Sequence, residues 1–273
     1  MATLGLIAGA GRLPFVLAHT ARAAGHRVVA VGHLGTTDPA LEAEVDALAW
    51  VRLGQIGKLA ATLTKGGVTQ AVFGGGIGKG AALTSARPDL EALKLWASLK
   101  TKGDDALLRV FADWLDARGI RIVAPGELLR ECFAAVGQVA GPRASAADLE
   151  DARFGFGVCR QLGALDIGQT VAVREGMVLA VEAMEGTDAC IARAGAIAAG
   201  AVVVKALKPG QDLRFDLPTI GPGTIDVLAA AKARLLAVEA GVTLVIDRDE
   251  LARRAKKARI SIVGLPRDSA TGG

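Results

Sequence analysis

The chain has 273 residues, 51% of them hydrophobic and 22% charged, which is material for two ordered domains and excludes disorder over most of the length. A net charge of +4 is too small to argue for a nucleic-acid partner, although it suits an anionic small molecule or an anionic membrane surface. Three widely spaced cysteines (Cys132, Cys159, Cys190), with no C-x-x-C pair, indicate neither a zinc site nor a disulfide framework and fit a reducing cytoplasm.

In chain order, "MATLGLIAGAGRLPFVL" has no basic residue ahead of its apolar run, and Arg12 interrupts it, so a signal peptide is not expected. "LGLIA" (4–8) reads as a buried strand, followed by a glycine turn and a helix reaching about Ala24. "RVVAV" (27–31) and "ALAWVRL" (47–53) are the next strands. A helix then ends at Gly66 and Gly67, and "TQAVFGG" (69–75) is the fourth strand. Leu107, Leu108, Phe111, Trp114 and Leu115 share one face of a helix over 104–119 that Gly119 terminates. "IRIVAP" (120–125) is a fifth strand. This alternation predicts a Rossmann-like, parallel, doubly wound sheet.

Two glycines and a proline in "VGQVAGPRAS" mark a boundary. The expected division is a nucleotide-binding domain over 1–136, a linker over 137–146, and a mixed α/β domain over 147–273. Ser145 and Asp148 have the spacing of a capping box that opens a helix. "QTVAVREGMVLAVEAMEG" predicts a hairpin turning at Glu175-Gly176. After a helix and the strand "AVVVKAL" (201–207) comes "DLRFDL" (212–217), whose strict alternation predicts a strand with Asp212, Arg214 and Asp216 on one face. An Ala-rich helix over about 223–240, the strand "VTLVID", another helix and "ISIVGL" close the chain. The basic run at 252–260 reads as a solvated helical face. The longest uncharged run of the second half, 194–204, is far short of a membrane span.

"IAGAGRLP" follows a strand and opens a helix, so its backbone amides suit a phosphate. It departs from the dinucleotide fingerprint, because Pro14 stands at the third glycine position and no acid ends the second strand. "GGGIGKG" (74–80) departs from a P-loop, since Phe73 and Gly80 replace the first glycine and the magnesium-binding hydroxyl. His19, His26 and His33 lie together near the start and read as surface or turn residues. What remains is carboxylate chemistry in the second domain: Glu175, Glu182, Glu185, Asp188, Asp212 and Asp216, interleaved with Lys205, Lys208 and Arg214. Oxygen ligands without His or Cys favour magnesium or manganese, and the neighbouring cations suit an anionic substrate. The combination points to phosphoryl chemistry.

"GLIAGAGRLP", "KGDDALLR", "LDIGQ", "EGMVLAVEAMEGTDACI" and "KPGQDLRFDLPTIGPGTI", in this order, resemble the LpxI type of UDP-2,3-diacylglucosamine pyrophosphatase. The resemblance implies a lipid A enzyme of Gram-negative bacteria that hydrolyses UDP-2,3-diacylglucosamine, with magnesium, to UMP and lipid X (2,3-diacylglucosamine 1-phosphate). It further implies that water attacks the sugar-side phosphorus, that a nucleotide-binding domain faces a lipid-binding domain, and that the enzyme is a homodimer. It places the catalytic acid at Asp216; on the reading of the residues Asp216 is metal ligand or base for water, and Asp216 and Asp212 are the candidate metal ligands. Candidate substrate contacts in the first half are Gly9, Gly11, Leu13, Pro14, Lys79, Asp104 and Asp105. In the second half they are Gln169, Glu185, Thr187, Asp188, Lys205, Lys208, Gln211, Arg214 and Thr219. Where family members usually carry a polar Arg-Pro loop after the fourth strand, this chain has "FGGGIGKGAAL", in which either Lys79 takes over a phosphate contact or the loop covers the base. The acyl chains need an apolar cavity, for which the Val- and Ala-rich segments of the second domain are the candidates. Cytoplasmic location with loose attachment to the inner membrane is expected. The alternatives left open are a nucleotide-sugar or NAD(P)-dependent oxidoreductase and a non-catalytic nucleotide-binding regulator.

Overall fold

The computed structural model describes residues 2–76, 86–97, 104–215 and 217–270, with the side chains of 104–106 and 270 excepted. The chain divides into two compact units. One comprises Met1–Leu129 together with Asp212–Asp216, and the other comprises Arg130–Gln211 and Leu217–Gly273.

The first unit is built on β1 (Thr3–Ala8), β2 (Arg27–His33), β3 (Ala47–Val51), β4 (Gln70–Gly74) and β5 (Arg121–Val123), all parallel, in the order β3-β2-β1-β4-β5. Its helices are α1 (Leu13–Ala23), α2 (Ile56–Lys65), α3 (Leu90–Ala97), α4 (Asp104–Asp116) and the single turn α5 (Pro125–Leu128). The strands are apolar on both faces because helices cover both. Ile7, Val29, Val31 and Ala71 pack with Leu59 and Leu63 of α2, Leu95 of α3, and Phe111 and Leu115 of α4. On the opposite face, Leu17 of α1 reaches Leu6 and Gly74. Parallel strands buried on two sides read as continuous apolar runs, and this is how the sequence presents them.

The second unit holds β6 (Gly137–Ala140), β7 (Thr170–Arg174), β8 (Met177–Val181), β9 (Val202–Lys205), β11 (Leu235–Glu239) and β13 (Ser261–Leu265), in the order β6-β13-β11-β9-β7-β8. The central β13, β11 and β9 are parallel, while β6 and β7 run antiparallel to their neighbours. A two-residue parallel pair joins β10 (Thr219–Ile220) to β12 (Leu244–Val245). Helix α6 (Ala146–Ala164) covers one face, with Ala152, Phe156 and Cys159 on Val171, Val173, Val202 and Val204. Helices α7 (Thr187–Ile197), α8 (Pro222–Ala230) and α9 (Arg248–Ala258) cover the other, with Ile191, Ile225, Leu228 and Leu251 on Ala172, Val203, Leu236 and Ile262.

Two predicted details are present as drawn. Ser145 Oγ accepts from Asp148 N and donates to Asp148 Oδ2, capping α6. Glu175 (φ 51°) and Gly176 (φ 73°) make the hairpin turn, both left-handed as a two-residue turn of this kind requires. Three details differ. Residues 137–140, expected within a linker, form the edge strand β6. The helix predicted over 223–240 stops at Ala230, and Leu235–Glu239 is the buried strand β11. Residues 213–215 form a turn where a strand was expected, so Asp212 and Arg214 are not on a common sheet face.

Candidate active site

In the first unit the chain leaves β1 through Gly9 and leaves β4 through Gly75, on either side of the point where strand order reverses. The two loops pair with each other: Gly9 N donates to Gly74 O at 2.7 Å, and Ala10 N to Gly76 O at 2.9 Å. A Cβ on Gly9 would lie 2.6 Å from Gly76 O, and one on Gly75 (φ +83°) 2.1 Å from Ala10 O. These glycines are therefore required by a backbone-to-backbone approach within the protein itself. Gly11 is exposed at φ 87°, and a Cβ there would meet nothing within 4 Å among the described residues. Leu13 and Pro14 form the first turn of α1, whose N-terminus has no side-chain cap.

His33 is a correction to the sequence reading: it is 5% exposed. Its Nδ1 lies 2.9 Å from Ala8 O, which also accepts from Thr37 Oγ1. Burial pushes the imidazole pKa down from its ordinary value, against the raising effect of the Ala8 carbonyl. The ring thus fixes the last residue of β1 before the loop. Lys79 and Asp216 lie outside the described residues, as do the side chains of Asp104 and Asp105 at the start of α4.

The segment 212–215 belongs to the first unit and is held there by aromatic packing. Phe215 meets Phe73 edge-on at 5.5 Å between centroids, and Phe73 meets Phe111 at 6.1 Å. Arg214 grips Asp212 through Nε (3.0 Å to Oδ1) and Nη2 (2.7 Å to Oδ2), while Arg214 N also donates to Oδ1. Arg109 Nε stands 3.9 Å from Asp212 Oδ2. The Arg214 guanidinium accordingly holds the Asp212 carboxyl below the usual carboxylate range, and Asp212 raises Arg214 in return. A carboxylate so engaged has little left to offer a cation. Among the described residues, no three of His, Cys, Asp and Glu converge in a metal-holding group.

In the second unit the predicted contacts gather at one end of the sheet. Glu182, 7% exposed just past β8, accepts from Thr187 Oγ1 at 3.1 Å and from Gln169 N at 3.4 Å. Thr187 Oγ1 is 3.3 Å from Thr170 Oγ1. Gln169 precedes β7 and Thr187 opens α7, so one buried carboxylate joins both candidate contacts. Lys205 closes β9, half-buried and in register with Thr170. Glu239, 1% exposed at the end of β11, accepts from Leu207 N at 3.0 Å and faces Arg267. Cys159 lies under this cluster, and burial pushes its thiol up to about 12, with Glu182 and Glu239 adding to the effect.

The other candidates are tied into the framework. Lys208 donates through Nζ to Asp166 Oδ1 and through its backbone N to Gln211 Oε1. Thr219 donates to Leu217 O at the start of β10. Glu185 pairs with Arg193, and its own backbone N–H and that guanidinium hold its carboxyl low. Asp188 is exposed in the first turn of α7. The Val- and Ala-rich segments are not a cavity lining: Val171, Ala172, Val173, Val202, Val203 and Val204 are all 0% exposed and form the core under α6 and α7. Sequence reasoning also missed Asp151, which accepts from Glu175 N and Gly176 N and so fixes the hairpin turn to α6. The visible signal for Glu182 is a lone acid ending an apolar strand.

A parallel sheet with paired glycine loops at its switch point, together with a separate mixed sheet that has a polar cluster at one end, defines a two-domain α/β protein. The LpxI N-terminal domain matches residues 3–132 and the LpxI C-terminal domain residues 135–263. The chain belongs to the LpxI family. It is 36% identical over 277 residues to the UDP-2,3-diacylglucosamine pyrophosphatase LpxI of Caulobacter vibrioides, covering 97% of this chain and 98% of that one. Among solved structures it is similar to the biotin carboxylase domain of Hydrogenobacter thermophilus 2-oxoglutarate carboxylase (13% identity, TM-score 0.28, 64% of this chain and 35% of that one). It is also similar to the biotin carboxylase subunit of a pyruvate carboxylase (10% identity, TM-score 0.28, 68% and 39%). At those scores neither likeness bears on the fold.

Proposed function

We propose that this protein hydrolyses the pyrophosphate bond of UDP-2,3-diacylglucosamine to UMP and lipid X in lipid A biosynthesis. The observation that carries this reading is the alignment of both domains, end to end, with a relative of that name. The first unit supplies a setting for the UMP half, because ligands of open parallel sheets lie beyond the carboxyl ends of the strands at the switch point. There the uncapped start of α1 favours a phosphate. β2 ends in Gly32-His33, with no acid for an adenosine ribose, which disfavours a dinucleotide oxidoreductase.

In the proposed reaction Asp216 takes a proton from water as the water oxygen bonds to the sugar-side phosphorus. The bond from that phosphorus to the bridging oxygen breaks, and UMP leaves with the bridging oxygen. Arg214, with Asp212 setting its plane, serves the developing charge on the phosphoryl oxygens in this reading. Arg214 engages Asp212, so Asp216 is the carboxylate that would hold a magnesium or manganese ion, with water and the diphosphate completing its oxygen ligands. When bound, such an ion neutralises diphosphate charge. The proposed setting is the cytoplasm of a Gram-negative cell, as a homodimer touching the inner membrane transiently. No described helix is long and apolar enough to cross a membrane.

The test is turnover of UDP-2,3-diacylglucosamine in ¹⁸O-labelled water, with and without EDTA. Label is expected in lipid X, with activity abolished by EDTA and restored by magnesium. Label in UMP would reverse the assigned orientation of attack, and full turnover in EDTA would remove the metal from the reading.

A further inference from the structure

Residues 212–216 belong to the first unit, although the chain on both sides of them belongs to the second. The side chain that docks this segment is Phe215. It is half-buried, packs against the core of the first unit and meets Phe73 edge-on. Phe73 is the last side chain of β4 before Gly74, Gly75 and Gly76, and Gly74 O is the acceptor that ties β4 to the glycine loop after β1. Phe215 is thus fastened to a strand that ends at the switch point, where ligands of such sheets lie. Its ring serves a second neighbour. The Arg214 guanidinium lies over it, 5.0 Å from the centroid, while Asp212 grips the same guanidinium through two nitrogens. Beyond Asp216, Leu217 is 7% exposed and belongs to the second unit, and Pro218 O accepts from Leu244 N at 2.8 Å. In sequence, Asp216 is the one residue between an anchor in each unit.

We propose that Phe215 is a positioning residue for the proposed hydrolysis: docked on Phe73, it sets where Arg214 and the backbone bearing Asp216 stand at the end of β4. Of the three apolar residues in "DLRFDL", Phe215 is the one that joins the first unit's core, since Leu213 is 37% exposed and Leu217 lies in the second unit. The backbone amides of the turn bond back into it, Arg214 N to Asp212 Oδ1 and Phe215 N to Asp212 O, so they shape the turn without fixing it to β4. The aromatic contact supplies that fixing. Accuracy matters here, because a misplacement of about 1 Å at a reacting group costs up to about a hundredfold in rate. The inference rests on the proposed roles of Arg214 and Asp216, whereas the docking of Phe215 does not.

The experiment uses the full chain and compares wild type with Phe215→Leu, Phe73→Leu, the double variant and Phe111→Leu. Phe111 packs on Phe73 from α4, so its replacement loosens the same core without removing the ring pair that holds the segment. Measured for each are kcat and KM for UDP-2,3-diacylglucosamine, UMP affinity, a melting temperature, and hydrogen exchange at the Arg214 and Phe215 amides. Phe215→Leu and Phe73→Leu should each lower kcat at least about tenfold, with UMP affinity unchanged and exchange faster at both amides. The double variant should lose no more than the worse single, because either change alone frees the turn. Phe111→Leu should lower the melting temperature comparably yet keep wild-type kcat and exchange. A matching fall of kcat in Phe111→Leu would reduce the trio to packing and overturn the proposal, as would an unchanged kcat in Phe215→Leu or additive losses in the double variant. Failure of the reaction reads differently. Wild type that turns over no substrate would overturn the proposed hydrolysis, and this role with it, while leaving the exchange pattern intact. Exchange at 214 and 215 unmoved by Phe73→Leu, in an enzyme that turns over, would overturn the anchor alone.

Discussion

Arg214 already holds the Asp212 carboxylate with two of its nitrogens, so its plane is fixed and its charge half compensated. In the proposed reaction this separates the roles of the two aspartates on either side of it. Asp216→Asn is nearly isosteric but accepts no proton. Loss of one well-placed electrostatic contact in a phosphoryl site costs about 3 kcal/mol, and loss of a base adds to it. A fall in kcat of at least about a hundredfold is expected, with substrate still bound. Asp212→Asn should leave kcat within about tenfold and act mainly on KM, by loosening Arg214. Steady-state kinetics of the two variants check this, and the reverse ranking would move the catalytic role to Asp212. His33 gives a second prediction at this scale. The unfolded chain takes up its proton below about pH 6.5, whereas burial delays protonation of the folded chain to lower pH. The unfolded state thus binds more protons in that window. The contribution is fully present above about pH 6.5 and shrinks as pH falls toward the depressed folded value. Urea midpoints between pH 7.5 and 5.5 should fall less steeply in His33→Gln than in wild type. Identical slopes would mean the ring is not the group that titrates.

Among elements, the β7–β8 hairpin depends on a residue of another element. Asp151 of α6 accepts from Glu175 N at 2.8 Å and Gly176 N at 2.7 Å, and the residue is 7% exposed. Hydrogen bonds to a buried carboxylate contribute about 1.5–3 kcal/mol each. Asp151→Ala is expected to destabilise the protein by about 2–4 kcal/mol, and Asp151→Asn by less. Amide hydrogen exchange should speed up first at Glu175 and Gly176. Unchanged protection at those two amides would argue against the cap. The same elements show what the sequence can reveal. The strands of the first unit, the α6 cap and the hairpin turn are legible because each carries a local signal: a buried run between glycines, Ser145 three before Asp148, or Glu-Gly between alternating strands. The break between α8 and β11 is not, because Lys232 enters the left-handed region where a glycine would have marked the stop. Moreover, "LLAVE", buried on both faces, has no period to distinguish it from a helix. The alternation in "DLRFDL" arises otherwise than in a strand: Asp212 and Arg214 pair within a turn, and Phe215 is drawn to Phe73, 142 positions earlier. No local pattern encodes that. Of the candidate site, the glycine loops and the Gln169–Thr187 end were legible as motifs, while Glu182 and His33 act through burial, which the sequence does not display.

For the molecule as a whole, the two matched domains follow one another along the chain, yet the first compact unit is not a continuous stretch of it. Phe215 completes the aromatic trio with Phe73 and Phe111 from beyond most of the second domain. A fragment ending at residue 132 should therefore be only marginally stable and bind a hydrophobic dye. A peptide spanning 208–220 should raise its melting temperature, whereas the same peptide with Phe215→Ala should not. A fragment that melts sharply and ignores the peptide would contradict this. The feature also bears on inheritance. Recombination between two relatives at the domain boundary would give the hybrid Phe73 and Phe111 from one parent and the residue at 215 from the other. Such a hybrid keeps the trio only where the second parent also supplies an aromatic residue at 215, so a contact made inside one unit constrains which partners the other domain can be exchanged with.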